Sequence, residues 1–146
     1  MSVNASGYIV PIKDSVVAQI PGATTTTSLA ALGTLTFAAA DIAPTVYQLL
    51  AGYLKFAGAP GGGLNIDLPT ASAIQAAIPS CQIGAYFDVF CQNGCGQTIT
   101  ITSADANLTL VGTVAIPTSK CATLRFIITD NAALNKTITC AIISSA

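Results

Sequence analysis

The feature that most constrains the fold is an alternation of apolar and polar residues in short runs between residues 83 and 143. Successive side chains of a β-strand point to opposite faces, so such alternation is typical of strands with one buried face. In the clearest run, residues 120–129, Ala122, Leu124, Phe126 and Ile128 occupy alternate positions and Arg125 lies opposite them. Several short strands at this spacing predict an all-β chain, an antiparallel β-sandwich or jelly-roll-like module or a small barrel.

The other runs predict further buried positions on the same reasoning. A tight hairpin is expected at residues 92–94, because Asn93 and Gly94 tolerate the positive φ angles that such turns need. Shorter strands are expected at residues 34–38 and 52–56. The predicted buried side chains are Ile83, Ala85, Phe87, Val89, Cys91, Ile99, Ile101, Leu108, Leu110, Val114, Ile138, Cys140 and Ile142.

One short helix is expected at about residues 70–78. Thr70 can cap its start, Ile74 and Ile78 share one face, and Pro79 ends it. Residues 46–50 form a helical turn or a bend. Residues 1–28 contain two apolar segments interrupted by prolines and predict an extended N-terminal arm, followed by a single β-sandwich domain at residues 29–146.

The charge content points to burial against other protein subunits. Only 8% of the residues are charged, against about 25% in ordinary soluble domains. No run approaches the roughly 20 apolar residues of a membrane-spanning helix, and the residues after Met1 do not resemble a signal peptide. We therefore expect synthesis in the cytoplasm, no membrane partner, and a surface that is covered by copies of the chain or by other proteins.

The residue types do not favour an enzyme or a nucleic-acid-binding protein. The chain has no His, which removes the usual general base and the commonest zinc ligand. Its acidic residues are all Asp, mostly at expected turns and strand ends, and its five basic residues are scattered rather than grouped in a stripe. We expect no catalytic residues, no cofactor and no resident metal.

The five cysteines leave three interpretations open. Cys91 and Cys95 flank the expected hairpin and could form a disulfide. Together with Cys81 and either Cys121 or Cys140 they could bind zinc, although the sequence lacks the paired CxxC spacing of most zinc sites. Buried free thiols are the third interpretation, and it is preferred for Cys140, which alternates with isoleucines.

Threonines replace charged residues at the outward positions of the predicted strands. Threonine packs well on a half-buried pleated surface, and β-propensity alone explains any single one of them. Because the chain has so few charges, these outward threonines together predict a face that contacts another subunit. An ice-binding surface is a weaker alternative, because the sequence has no repeat that would keep pairs of threonines in register. The face is formed by Thr98, Thr100, Thr102, Thr137 and Thr139.

A series of short motifs runs through residues 45–143. They are Tyr47-Gln-Leu-Leu-Ala-Gly52, Leu68-Pro-Thr-Ala71, Ile74-Gln-Ala-Ala-Ile-Pro79, Gly84, the strand at 87–93, Thr98-Ile-Thr-Ile101, Leu110-Val-Gly112, Arg125-Phe126 and the closing strand at 136–143. In the order of these motifs, residues 45–143 resemble a domain that recurs in tailed phages and large double-stranded DNA viruses. The resemblance implies a β-rich virion surface or capsid-associated protein, a minor capsid or cement protein that self-associates, for example as a trimer, and bridges major capsid subunits. A receptor- or glycan-binding knob of a fibre is the alternative.

Overall fold

The computed structural model describes residues 34–36, 41–78 and 80–144, so the expected arm at residues 1–28 lies outside the described residues. The described chain is mostly β, as the alternation predicts. Two short helices accompany the strands: the one expected near residue 70, and one at residues 46–50, where a helical turn or a bend was expected. The strands are β1 (Thr34–Thr36), β2 (Tyr53–Ala57), β3 (Leu64–Asp67), β4 (Tyr86–Asn93), β5 (Ile99–Thr102), β6 (Leu108–Gly112), β7 (Ala115–Ile116), β8 (Cys121–Ala132) and β9 (Asn135–Ser144), and the helices are α1 (Val46–Leu50) and α2 (Ala71–Ala76).

The strands form two sheets of mixed direction. The larger sheet has the order β1-β2-β4-β8-β9-β6, and the smaller one has the order β3-β5-β7. The expectation of an antiparallel fold is wrong, because β1/β2, β2/β4, β3/β5 and β6/β9 are parallel pairs. Between β2 and β4, for example, the chain forms β3 in the smaller sheet, and β4 then runs in the same direction as β2. Apolar and polar residues alternate along a half-buried strand whichever direction its neighbour runs, so the sequence pattern did not distinguish parallel from antiparallel pairing.

Both sheets and both helices contribute to one cluster of buried side chains. The alternate positions predicted to be buried on β8 and β9 are buried, as are Ile99 and Ile101 on β5. Two predicted positions are wrong: Ile83 and Ala85 are exposed, because β4 begins only at Tyr86. The largest fully buried side chains are Phe56, Phe126, Leu49, Leu54, Ile66, Ile74, Ile99, Ile101, Ile116, Leu124, Ile128 and Ile138.

Gly112 divides the expected run at 107–116 into β6 and β7, which belong to different sheets. Its φ angle is 106°, in the region that L side chains rarely adopt. A Cβ atom at this position would also overlap the carbonyl oxygen of Ile142 on the neighbouring strand β9. The chain can therefore bend here from one sheet to the other only because residue 112 has no side chain.

The hairpin predicted at residues 92–94 is absent. β4 ends at Asn93, and the chain crosses to β5 in the smaller sheet. The side chain of Asn93 is buried and stabilises this crossing: its Nδ2 donates to the carbonyl oxygens of Gln97 (2.9 Å) and Ile116 (2.8 Å), and its Oδ1 accepts from the N–H of Cys95 (2.8 Å). One amide thus connects the end of a large-sheet strand to the smaller sheet.

Helix α2 confirms the predicted helix near residue 70. The Thr70 hydroxyl accepts from the N–H of Ala73, and a carboxylate oxygen of Asp105 accepts from the N–H of Ala71 at 2.7 Å. Both bonds satisfy amides that the first helical turn leaves without a partner. The helix is attached to the larger sheet by Gln75, whose buried Nε2 donates to the carbonyl oxygens of Asp130 and Thr137, beside the irregularity in the β8/β9 pairing.

Candidate functional site

The candidate site is the side of the larger sheet that faces away from the core. On β4 the side chains of Val89 and Cys91 point into the core, so the intervening side chains point outward. The same parity holds along β2, β8, β9 and β6. We call this surface the outer face; it is formed by Tyr53, Lys55, Tyr86, Asp88, Phe90, Gln92, Thr109, Val111, Thr123, Arg125, Ile127, Thr139, Ala141 and Ile143.

Exposed hydrophobic side chains are concentrated on the outer face. Tyr86 and Ile143 each expose 62% of their surface, and Val111, Phe90 and Tyr53 are also exposed. Scattered single hydrophobic residues are normal on a protein surface, but a group on one sheet face is typical of a surface that contacts another molecule. The outer face is therefore the strongest candidate interaction surface among the described residues.

The register places several of these side chains in one row. Tyr53 pairs with Phe90, Phe90 with Thr123, and Thr123 with Ile143, so the row crosses four adjacent strands. The rings of Tyr53 and Phe90 are stacked, with centroids 6.1 Å apart and planes 9° from parallel. The Tyr53 hydroxyl donates to Oε1 of Gln92 at 2.8 Å. These contacts hold the exposed rings in fixed positions before any partner binds.

One ion pair lies at the centre of the outer face. Arg125 Nε and Nη2 each donate to a carboxylate oxygen of Asp88, and both distances are 2.8 Å. The guanidinium also lies over the Tyr86 ring, 4.6 Å from its centroid. The hydrogen bonds from Arg125 lower the pKa of Asp88, and those to Asp88 raise the pKa of Arg125. Each charge neutralises the other, so the face has few charges without a partner to desolvate.

The outer face is suited to binding another molecule, but its Asp88–Arg125 pair is not arranged for proton transfer. The lowered pKa makes Asp88 a weaker base, and both of its carboxylate oxygens are occupied by Arg125. Within residues 34–36, 41–78 and 80–144, no group of three or more Cys or Asp side chains is placed to hold a metal ion. The expectation that the protein is not an enzyme stays a prediction.

All five cysteines are free thiols in the structure. Burial raises the pKa of Cys91 and of Cys140 to about 12, and it also raises the pKa of Cys81 and Cys95. The premise for a Cys91–Cys95 disulfide was a tight hairpin, which is absent; Cys91 lies on the buried side of β4 and Cys95 in the crossing that follows. The disulfide stays a prediction.

The predicted threonine face is divided between the two sheets. Thr98, Thr100 and Thr102 lie on or next to β5 in the smaller sheet, whereas Thr137 and Thr139 lie on β9 in the larger one. The hydroxyl of Thr102 donates to the Ile66 carbonyl and to the Asp67 carboxylate, and that of Thr137 is hydrogen-bonded to the Thr129 hydroxyl. The five residues form two rows and not one face. Their contact with a subunit stays a prediction.

The aromatic group on the outer face was not predicted from the sequence, although β4 carries a signal of it. The outward positions of β4 hold Tyr86 and Phe90 as well as Asp88 and Gln92, so this side of the strand is only half polar. A strand with one solvated face is normally polar at every second position. The departure marks a strand whose outer side is suited to a further contact, but only the pairing of β4 with β2 and β8 shows which outward side chains lie beside it.

In comparisons with known proteins, no family model matches the chain, and neither a curated protein nor a solved structure matches it. Among the described residues, no helix combines the length and the apolar character that crossing a lipid bilayer requires.

Proposed function

We propose that this protein is a structural building block that associates with copies of itself through the outer face and works in a virion as a minor capsid or cement protein. The observation that carries the proposal is the group of exposed hydrophobic side chains around a single internally neutralised ion pair. Burial of such a surface lowers the free energy, because apolar side chains leave water and few unpaired charges have to be desolvated.

The composition supports self-association independently of the structure. A monomer with 8% charged residues has few charges to keep it in solution. Specific interfaces bury about 800 Å² on each partner, and an outer face that spans β2, β4, β8, β9 and β6 offers a surface of this kind. The virion role rests on the resemblance of residues 45–143 to capsid-associated domains.

We further propose that the two sheets pack as a β-sandwich of the jelly-roll-like type. Its support is the single cluster of buried side chains, to which β2, β4, β8 and β9 of the larger sheet and β3, β5 and β7 of the smaller sheet all contribute. Two sheets that bury one face each against a common core leave their other faces for contacts. This packing would leave the outer face for neighbouring copies.

Sedimentation velocity of the reduced protein over a range of concentrations tests the proposed function. We expect an oligomer that dissociates on dilution, and a weaker one for Ile143→Ser. The matched control is Ile83→Ser, because Ile83 is also 62% exposed but lies off the sheet. A wild-type monomer at high concentration, or equal effects of the two substitutions, would contradict the proposal. Co-sedimentation with capsids that lack the protein tests the cement role.

A receptor- or glycan-binding module is the second candidate, and a specific observation favours it. The structure brings Tyr53, Phe90 and Tyr86 to one face beside Asp88 and Arg125. Exposed aromatic rings next to hydrogen-bonding groups suit the faces and hydroxyls of a sugar. A glycan array would show binding that Phe90→Ala abolishes; an array without hits would dismiss this candidate.

A further inference from the structure

A second feature of the molecule is a half-open apolar pocket at one margin of the outer face. Its volume is about 150 Å³, and its walls are Leu50, Ile78, Cys81, Tyr86, Phe87 and Ile128. Almost all of the lining is apolar. An apolar cavity of about this volume accepts a small apolar group. The pocket is therefore suited to a single apolar side chain or a ligand of similar size.

The chain also carries a large apolar side chain that is fully exposed at a turn. β8 and β9 are joined by Ala133 and Leu134, and the last residue pair of the two strands is Ala132 with Asn135. Leu134 is 100% exposed. Gly, Asn and Asp usually occupy such turn positions, and a leucine there is not explained by turn geometry or by packing within the chain.

The pocket and Leu134 lie at the same end of β8 but cannot meet within one chain. Ile128 lines the pocket, and Leu134 is six residues further on, which is roughly 20 Å of extended strand. Asn131 lies between them and donates from Nδ2 to the carbonyl oxygen of Cys81 at 2.8 Å. This bond attaches the base of the hairpin to a wall of the pocket.

We propose that Leu134 of one copy inserts into the pocket of a second copy. The inference rests on the proposed self-association and names the contact that directs it. Each copy has one Leu134 and one pocket, so a closed dimer or trimer fills every pocket. One leucine buries far less than the area that a stable interface needs. The contact continues onto the outer face through Tyr86, which belongs to both surfaces.

The first test is a pair of substitutions at the hairpin tip. Leu134→Ser should raise the dissociation constant of the assembly about 10-fold or more for each insertion lost, since one buried leucine contributes on this scale. Leu134→Met keeps an apolar side chain and should associate nearly as the wild type does. In the single chain this side chain is fully exposed. Neither change should therefore alter the circular dichroism spectrum, or the thermal midpoint at concentrations where the assembly has dissociated.

The second test joins the two partners covalently. In a Cys121→Ser background, Leu134→Cys places a thiol at the tip, and added diamide oxidises it with Cys81 of the neighbouring copy. The disulfide forms as the two thiols give up two hydrogens to the oxidant, which becomes a hydrazine. A cross-linked species should appear on a non-reducing gel and should be lost when Cys81→Ser is added. Cross-linking that persists without Cys81 would show tip-to-tip contact and overturn the proposal.

The outcomes separate this inference from the proposed function. If the wild type is a monomer at high concentration, both are wrong. If Ile143→Ser weakens the assembly while Leu134→Ser does not, and no cross-link depends on Cys81, self-association stands and this contact is wrong. If another segment of the chain or a small apolar ligand occupied the pocket, Leu134→Ser would leave the assembly unchanged and no cross-link would depend on Cys81.

Discussion

Asn93 should be the polar side chain whose removal destabilises the fold most clearly. It is 1% exposed and makes three hydrogen bonds between 2.8 and 2.9 Å, two to carbonyl oxygens and one from an amide. Each such bond contributes about 1 kcal/mol net, and a buried partner left without one costs about 1–3 kcal/mol. Asn93→Ala should therefore lower the free energy of unfolding by about 3 kcal/mol or somewhat more, a large part of the 5–15 kcal/mol of a typical domain.

Urea unfolding followed by circular dichroism measures this loss. With a slope of about 2 kcal/mol per molar urea, the midpoint should fall by about 1.5 M. The control is Asn135→Ala, which removes one exposed bond from Nδ2 to Asp130 at 2.9 Å and should change stability by about 0.5 kcal/mol or less. If the two variants lose the same small amount, the reasoning that the Asn93 amide holds the two sheets together is refuted.

The variant Asn93→Asp tests the direction of the hydrogen bonds. Its carboxylate would face the carbonyl oxygens of Gln97 and Ile116, to which the amide now donates. Burial beside two acceptors raises the pKa of the introduced acid above its ordinary value of about 3.9. The variant should then be closest to the wild type below pH 4 and should lose stability as the pH rises toward 7. A loss that is independent of pH would contradict this direction.

Three further outcomes follow from the structure. Gly112→Ala should cost more than about 2 kcal/mol in urea unfolding, because it adds strain at positive φ and a backbone overlap, whereas Gly61→Ala, with open space around it, should change little. Arg125 lowers the pKa of Asp88, so the stability that this pair contributes should be complete above pH 4 and lost as the pH falls through the lowered value, and Asp88→Asn should remove that acid-dependent step. Burial raises the pKa of Cys91 from 9.0 to about 12, so this thiol should react with Ellman's reagent at pH 8 only after unfolding, and its contribution to stability should decline between pH 9 and 12.

Local features of the sequence predicted the elements and their buried sides. Ala122, Leu124, Phe126 and Ile128 alternate along β8 and are buried, because the period of two belongs to each strand separately. The start of α2 could also be predicted from the sequence, because the capping residue Thr70 and the amide that it satisfies lie within three residues of each other.

Strand pairing and the assembled surface were decided by tertiary structure. Alternation shows that one side of a strand is buried, but it does not show which strand lies beside it or in which direction that neighbour runs. The parallel pair β2/β4 and the crossing at Asn93 depend on contacts between residues far apart in the chain. The same long-range pairing divided the threonines into two rows and gathered Tyr53, Tyr86 and Phe90 on one face, because a strand places its outward side chains next to those of its neighbours only once the sheet has formed.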